Sequence, residues 1–306
     1  MAEPFAPLGA LLRSAGACAA GCLAAEPLLA QLEPARAAQA RHDLPGLQSL
    51  LCAAFPYATG REPEGLFSRY ARGEDYHAVL RRRLKPVQEA LAAAFPGKRF
   101  FFYTDVSPFP EVRAAALAGL GRLGQNGLLI TEAAGSYVFL AFLATDLAVC
   151  PTGGALRLCR GCGECLRQCP AGALTGDGTV LADRCLSAVT QRRGPLTEEE
   201  QHLLRRCQTL WGCDRCQQCC PENAAAAAAP LPELLPREPA LAPEDLSLSD
   251  RAFRRKYASR AFVWRGVAPL RRNAALLGLR TQQDEPNETE KRKKGTVTLP
   301  CGKRSF

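Results

Sequence analysis

The sequence predicts an α/β domain followed by a small α+β module built on cysteines, and three observations carry that reading. The first half alternates segments of helical apolar spacing with short apolar runs bounded by Gly and Pro. The stretch Cys159-Arg-Gly-Cys162-Gly-Glu-Cys165-Leu-Arg-Gln-Cys169-Pro170 is then echoed by Cys213-Asp-Arg-Cys216-Gln-Gln-Cys219-Cys220-Pro221. Finally, 306 residues with 47% hydrophobic content are ample for one large or two ordinary cores.

In chain order, residues 5–32 read as one or two helices, apolar at helical spacing with alanine throughout. His42-Asp43 falls in a connection, and the run 47–57 reads as a buried strand entering a loop at Phe55-Pro56-Tyr57. Residues 67–77 form a Gly-containing loop with two arginines and two tyrosines. It suits an anionic or planar ligand and, equally, a capped helix start. A helix through Ala78, Leu80, Leu84 and Leu91 follows.

Residues 99–103 are a short aromatic strand that delivers Asp105 to a Pro-rich turn. A strand end is a common place for a catalytic carboxylate, and Asx turns or helix caps also use aspartate there. A helix is expected over 111–120. The glycines between 119 and 127 offer backbone that can approach a ligand closely, without the spacing of a dinucleotide fingerprint. Strands over 128–131 and 136–145 complete the sheet. Helices over 181–193 and 197–206 separate the two cysteine runs, the Ala/Pro stretch 224–243 reads as a linker, and 247–278 as two helices. The expected divisions are thus 1–150, 151–223, 224–280 and a disordered basic tail, 281–306.

A C-x2-C-x2-C-x3-C-P run is the spacing of bacterial ferredoxins, in which three thiolates hold one iron-sulfur cluster and the fourth, before proline, crosses to a second. The echo supplies the crossing partner. Cys159, Cys162, Cys165 and Cys220 are assigned to one 4Fe-4S cluster, and Cys169, Cys213 and Cys216 to the other, completed by Cys185. Zinc is the alternative, although it has no need of a repeated C-x3-C-P. Cys18, Cys22, Cys52, Cys150, Cys207 and Cys301 read as small apolar residues or solvent thiols, and Cys219 as displaced by Cys220.

The start, Met1-Ala-Glu-Pro, lacks the basic flank of a signal peptide, and no apolar run approaches a membrane span. A cytoplasmic protein is expected. The formal charge of +9 fits a polyanionic partner, part of it lying in residues 291–294.

The ordered series residues 68–77, the 105–108 turn, Gly119 to Asn126, Thr145-Asp146-Leu147, both cysteine runs, Asp183-Arg184-Cys185 and Leu270-Arg-Arg-Asn273 resembles the epoxyqueuosine reductase family. The resemblance spans residues 45–280. It implies an α/β cobalamin-binding domain, like that of reductive dehalogenases, joined to a two-cluster ferredoxin-like α+β module. The implied activity is reduction of the epoxide of epoxyqueuosine at the tRNA wobble position, with loss of the oxygen as water. Electrons from a donor such as a flavodoxin or ferredoxin would pass through the clusters to cobalt, and Asp105 would protonate the departing oxygen. Burial beside the corrin is expected to keep that carboxyl protonated. The matching cobalamin contacts are Ser68 or Arg69, Ser187, Cys213 and Asp214. Arg192 and Arg193 would touch the anticodon backbone, with Arg254, Arg255, Lys256, Arg271 and Arg272 as further basic residues for RNA.

Asp75-Tyr76-His77 resembles the start of a cobalt-ligating D-x-H-x-x-G motif, but Leu80 stands where glycine belongs, so His77 is not read as an axial ligand. Gln125 replaces the family's usual lysine, Arg122 an aromatic residue, and Val106-Ser107 shifts the turn hydroxyl by one position. The chain reads as a short form without the C-terminal helical repeats of many members. Two other readings compete: a two-cluster electron carrier, and a cobalamin-dependent reductase of a small molecule.

Overall fold

The structure, a computed structural model, describes residues 2–59, 65–224, 226–237 and 241–279. The expected tail, with its 291–294 basic run and Cys301, lies outside the described residues.

The chain runs α1 (Phe5–Ser14), β1 (Ala19–Ala24), α2 (Ala25–Leu29), α3 (Pro34–Asp43), β2 (Ser49–Pro56), α4 (Tyr76–Ala94), β3 (Phe100–Tyr103), α5 (Glu111–Leu117), β4 (Arg122–Leu123), β5 (Leu129–Ile130) and β6 (Val138–Thr145). The main sheet has the order β1-β2-β6-β3 with every pairing antiparallel, and β4 pairs with β5 alone. Central strand β2 is buried on both faces, which is why its sequence is continuously apolar. Leu51, Ala53 and Phe55 join the core under α1 and α4. Leu50, Cys52 and Ala54 join the core under α2, α3 and α5.

The helical expectation for residues 5–32 is corrected by β1, whose Ala-Ala-Gly-Cys-Leu-Ala sequence has no β-branched residue. Small side chains are needed there for clearance. A Cβ on Gly21 would stand 2.2 Å from the Ala118 carbonyl oxygen. Strand 128–131 also differs from expectation, since β5 leaves the main sheet and pairs with β4 inside the glycine-rich stretch.

The cysteine module holds α6 (Glu164–Gln168), α7 (Leu186–Gln191), α8 (Glu198–Cys207) and α9 (Arg215–Gln218), with α6 packed against α9. Thr197 caps α8 reciprocally with Glu200. The expected helix over 181–193 begins only at Leu186, because Cys185 takes extended backbone as its N-cap. The chain closes with α10 (Asp250–Lys256) and α11 (Val267–Leu276). These pack with Phe67, Ala71 and Trp211 in a third core. Fully buried Asn273 stitches α11 to the cysteine module, its Nδ2 donating to the carbonyls of Thr190 (2.8 Å) and Leu210 (2.9 Å).

The expected linker after 224 is instead a strap packed on the first core wherever it is described. Leu231 and Leu234 are buried there, Leu231 N–H donates to the Pro56 carbonyl, and the N–H groups of Ala227 and Ala228 donate to that of Ala133. Glu233 pairs with Arg83 at 2.7 Å and accepts Glu74 N–H through its own carbonyl. Alanine and proline do not preclude packing where Leu231 and Leu234 can join an apolar core.

Candidate active site and cysteine quartets

Folding gathers the thiols into two groups. Burial raises the Cys165 thiol above its ordinary pKa, and neighbouring Cys220, Cys159 and Cys162 add to it. Burial likewise raises Cys216, with Cys213, Cys185, Cys169 and Cys219 adding. The expected ligands are neighbours in this arrangement, with Cys220 near the first group and Cys169 near the second, and Cys219 lies near both. Among the described residues no three His, Cys, Asp or Glu side chains converge closely enough for a single metal ion.

Cys219 lies beside Cys165 and Cys220, but its Sγ donates to the Cys216 carbonyl at 3.7 Å. Cys207, read as a spare thiol, neighbours Cys213.

The glycine-rich loop serves these quartets. Gln125 N–H points to Cys159 Sγ at 3.4 Å, its side-chain oxygen accepts from Gly163 N–H at 3.2 Å, and Asn126 Nδ2 donates to the Cys216 carbonyl at 3.4 Å. Arg122 pairs with Glu222 at 2.5 Å, next to Cys220. The glycines of this stretch are expected to let its backbone approach a ligand, and Gln125 stands where the family usually has lysine. In the structure the close approach is to the protein's own backbone, with a Cβ on Gly121 falling 2.3 Å from the Ile130 carbonyl oxygen.

Of the expected cobalamin contacts, Ser68, Arg69 and Asp214 converge in one buried network. Ser68 Oγ and Arg69 N–H (2.8 Å) both donate to the Asp214 carboxylate, and the Arg69 guanidinium lies 3.8 Å from it. Ser68, Cys213 and Asp214 line a cavity of about 310 Å³. Ser187 is not with them; it lines a separate cavity of about 460 Å³ with Cys185, Gln191, Arg192, Trp264 and Arg265. Three features fit this second cavity to a planar cofactor. It opens beside Cys185, its wall offers the Ser187 hydroxyl and Gln191 amide, and the buried Tyr70 hydroxyl backs that wall through Gln191. The Tyr70 hydroxyl accepts from Gln191 Nε2 at 3.2 Å, and burial, then Asp214 and Asp105, raise its pKa.

Asp105 sits at φ 61°, and Val106 N–H closes on the Thr104 carbonyl at 2.6 Å. This tight γ-type turn is rare for a residue with a side chain. Its backbone N–H is held by Glu111 Oε2 at 3.1 Å. The carboxylate is neither an Asx-turn acceptor nor a helix cap: Oδ2 lies 3.4 Å from His77 Nε2, whose Nδ1 lies 2.7 Å from Asp75 Oδ1. Asp75 also caps α4 by accepting His77 N–H. Burial beside a corrin is expected to protonate Asp105, whereas the protein's own groups around it favour the carboxylate. Its side chain is 61% exposed, and the hydrogen bond from His77 lowers its pKa. The proton belongs to His77, where burial alone would lower the pKa but bonds to Asp105 and Asp75 outweigh it and raise it to about 9. With both ring nitrogens engaged, His77 has none to offer a metal.

Sequence reasoning missed Glu111. Burial pushes its carboxyl up to about 7, and its Oε1 is buried with no hydrogen-bond partner among the described residues. Glutamate at the start of a helix after a Pro-rich turn was the available signal, but surface helix starts carry it just as often.

Most of the basic residues expected to meet RNA also have partners within the protein. Arg272 donates to the carbonyls of Val189, Thr190, Arg192 and Gly194, and Arg271 to those of Leu246 and Leu248. Arg192 pairs with Glu200, Arg254 with Asp250 and Lys256 with Asp245. Arg193 and Arg255 are exposed.

Comparison with known proteins agrees with this geometry. The family described as "Epoxyqueuosine reductase QueG, DUF1730" matches residues 38–106, and a "4Fe-4S double cluster binding domain" matches residues 158–223. Epoxyqueuosine reductase of Lactococcus garvieae is 38% identical over 72% of this chain and 65% of its own length. That of Gloeobacter violaceus is 37% identical over 76% of each. A crystal structure of epoxyqueuosine reductase with an epoxyqueuosine-modified tRNA stem loop superposes with a TM-score of 0.76 at 29% identity, covering 89% of this chain and 80% of that one. The chain spans less than two thirds of the length of several curated relatives, 56% for that of Listeria monocytogenes.

Proposed function

The chain belongs to the epoxyqueuosine reductase family, and from that premise we propose that it reduces the epoxide of epoxyqueuosine in tRNA to the alkene of queuosine. Loss of the oxygen as water consumes two electrons and two protons. Its cofactors are two 4Fe-4S clusters and cobalamin; when bound, cobalamin supplies a low-potential cobalt centre for the substrate carbon, fed with electrons through the clusters. Cys159, Cys162, Cys165 and Cys220 hold one cluster, and Cys169, Cys185, Cys213 and Cys216 the other. The α/β part, residues 1–150, carries the acid, and residues 151–223 carry the clusters. A flavodoxin or ferredoxin would supply the electrons. Cytoplasmic residence accords with the need for reduced thiols and access to tRNA.

The observation that carries this reading is the Asp105–His77 pair on an exposed turn of the α/β part, in a chain that also carries the two cysteine runs. Asp105 presents an oxygen to the leaving group, and His77 stores the proton that an exposed, lowered carboxyl does not keep at neutral pH. Glu111 fixes the turn from beneath through the Asp105 N–H. An electron carrier has no use for this pair.

The test is anaerobic reconstitution with iron, sulfide and cobalamin, followed by assay of epoxyqueuosine-containing tRNA under strong reductant. Turnover should fall by about 10²-fold or more in Asp105→Asn, the usual scale for losing a general acid, with cluster and cobalamin spectra unchanged. Equal turnover by Asp105→Asn would remove the acid. Cobalamin uptake without turnover of that tRNA would favour a small-molecule substrate, and two clusters without cobalamin uptake an electron carrier.

A further inference from the structure

Of the thiols expected to hold iron, Cys162 alone is exposed, the others being half-buried. The two groups sit differently in the fold. In the second, Asp214 and Gln217, the chain neighbours of Cys213 and Cys216, are buried. In the first, the loop carrying Cys162 stands clear, and a Cβ on Gly161 would meet nothing within 4 Å. Leu158, next to Cys159, is 63% exposed, and Arg157, Arg160 and Arg167 are exposed with it. Arg167 donates to the Cys162 carbonyl at 3.1 Å and pairs with Glu164, the one acidic residue between positions 155 and 169. Arg160 reaches Glu222 only at 3.9 Å, and that carboxylate also holds Arg122 at 2.5 Å.

A single exposed leucine needs no explanation, but this one lies between two arginines and beside the most accessible ligand loop. An electron enters a cluster where a carrier can come close, and redox encounters use small faces with an apolar centre and a charged rim. Resting on the cluster assignment above, we propose that Arg157, Leu158, Arg160 and Cys162 form the docking face for a small acidic flavodoxin. The exposed edge of its flavin meets Leu158, and its carboxylates face the arginines. Each encounter passes one electron: the anionic flavin hydroquinone becomes the neutral semiquinone as the first cluster is reduced. Two encounters therefore supply the two electrons of one epoxide reduction. RNA is the poorer fit, because residues 151–183 contain no aromatic side chain on which a base could stack. Entry at this end leaves Cys185 of the second group on the 460 Å³ cavity.

Stopped-flow reduction of the reconstituted protein by flavodoxin hydroquinone, followed at the cluster absorption, tests this. In the double variant Arg157→Glu/Arg160→Glu the second-order rate should fall by about 10-fold or more at low ionic strength and approach wild type in high salt, the mark of lost steering. Leu158→Gln, which keeps the charge, should weaken flavodoxin binding with unchanged salt dependence. Iron content, and reduction by photoreduced deazariboflavin, a small neutral reductant, should match wild type in both. Arg13→Glu/Arg36→Glu, an equal change of net charge on α1 and α3, should slow flavodoxin far less. Equal slowing by the two double variants, or none by either, overturns the face. Failure of flavodoxin to reduce wild type that deazariboflavin does reduce overturns the partner. Loss of anticodon stem-loop binding in Arg157→Glu/Arg160→Glu overturns the face by assigning its arginines to RNA. The expected cluster reduction without turnover of epoxyqueuosine-containing tRNA overturns the reductase reading and leaves the docking face standing.

Discussion

His77 Nε2 lies 3.4 Å from Asp105 Oδ2 while its Nδ1 lies 2.7 Å from Asp75 Oδ1, so one imidazole is held between two carboxylates. Asp75 closes the first turn of α4 and Asp105 ends the connection from β3. The pair therefore forms only when helix and strand dock. Tyr76 stacks on His77 at 4.0 Å and on Phe139 of β6 at 4.0 Å, which fixes the ring against the sheet.

The imidazole of His77 should titrate near 9, well above the ordinary 6.5. The folded pKa is raised, so its contribution to stability is complete below 6.5 and lost as pH rises through about 9. Asp75 and Asp105 are lowered, so theirs is present above 3.8 and lost on acidification. With three histidines in the chain, NMR titration of wild type and His77→Asn identifies the signal. Titration of His77 close to 6.5 would show that the pair does not form.

Glu111 should act in the opposite sense to its carboxylate neighbours. Its folded pKa is raised to about 7 by burial, so its contribution is complete below 4.5 and lost as pH rises through 7. Glu111→Gln, which stays neutral, should flatten the decline in melting temperature between those values. An unchanged pH profile would mean that Glu111 is solvated.

Cys219 and Cys220 are adjacent, yet only Cys220 is expected to hold iron. Cys219→Ser should keep the full iron content and visible absorption. Cys220→Ser should lose about half of the iron, one cluster of two. The reverse pattern would exchange their roles.

Gly73 is packed under the strap, and a Cβ there would stand 2.4 Å from the Leu234 carbonyl oxygen. Backbone cannot give way as a flexible side chain can. Gly73→Ala should cost about 1–3 kcal/mol in denaturant unfolding, the usual penalty for overpacking. A cost near zero would show the strap to be the loose linker that its composition suggests.

The cysteine runs, the buried strand β2, helix α4 and the turn bearing Asp105 were all legible in the sequence. Each is written in local spacing: three-residue cysteine intervals, an unbroken apolar run, helical periodicity and an aromatic strand leading into a Pro-rich turn. β1 and the strap were not legible. Their residues, mostly alanine, glycine and proline, are chosen for clearance against a distant backbone, and clearance leaves no local pattern.

The site divides in the same way. Chemical identity and short-range spacing already mark which thiols are candidate ligands and place an aspartate two residues after β3. Only the tertiary structure decided that His77 carries the proton for Asp105, that Ser187 and Asp214 line different cavities, that Arg271 and Arg272 donate to carbonyls, and that Trp264 meets Gln191. Those relations join residues far apart in the chain. A charge or an aromatic ring has no fixed role until folding chooses its partner and its exposure to water.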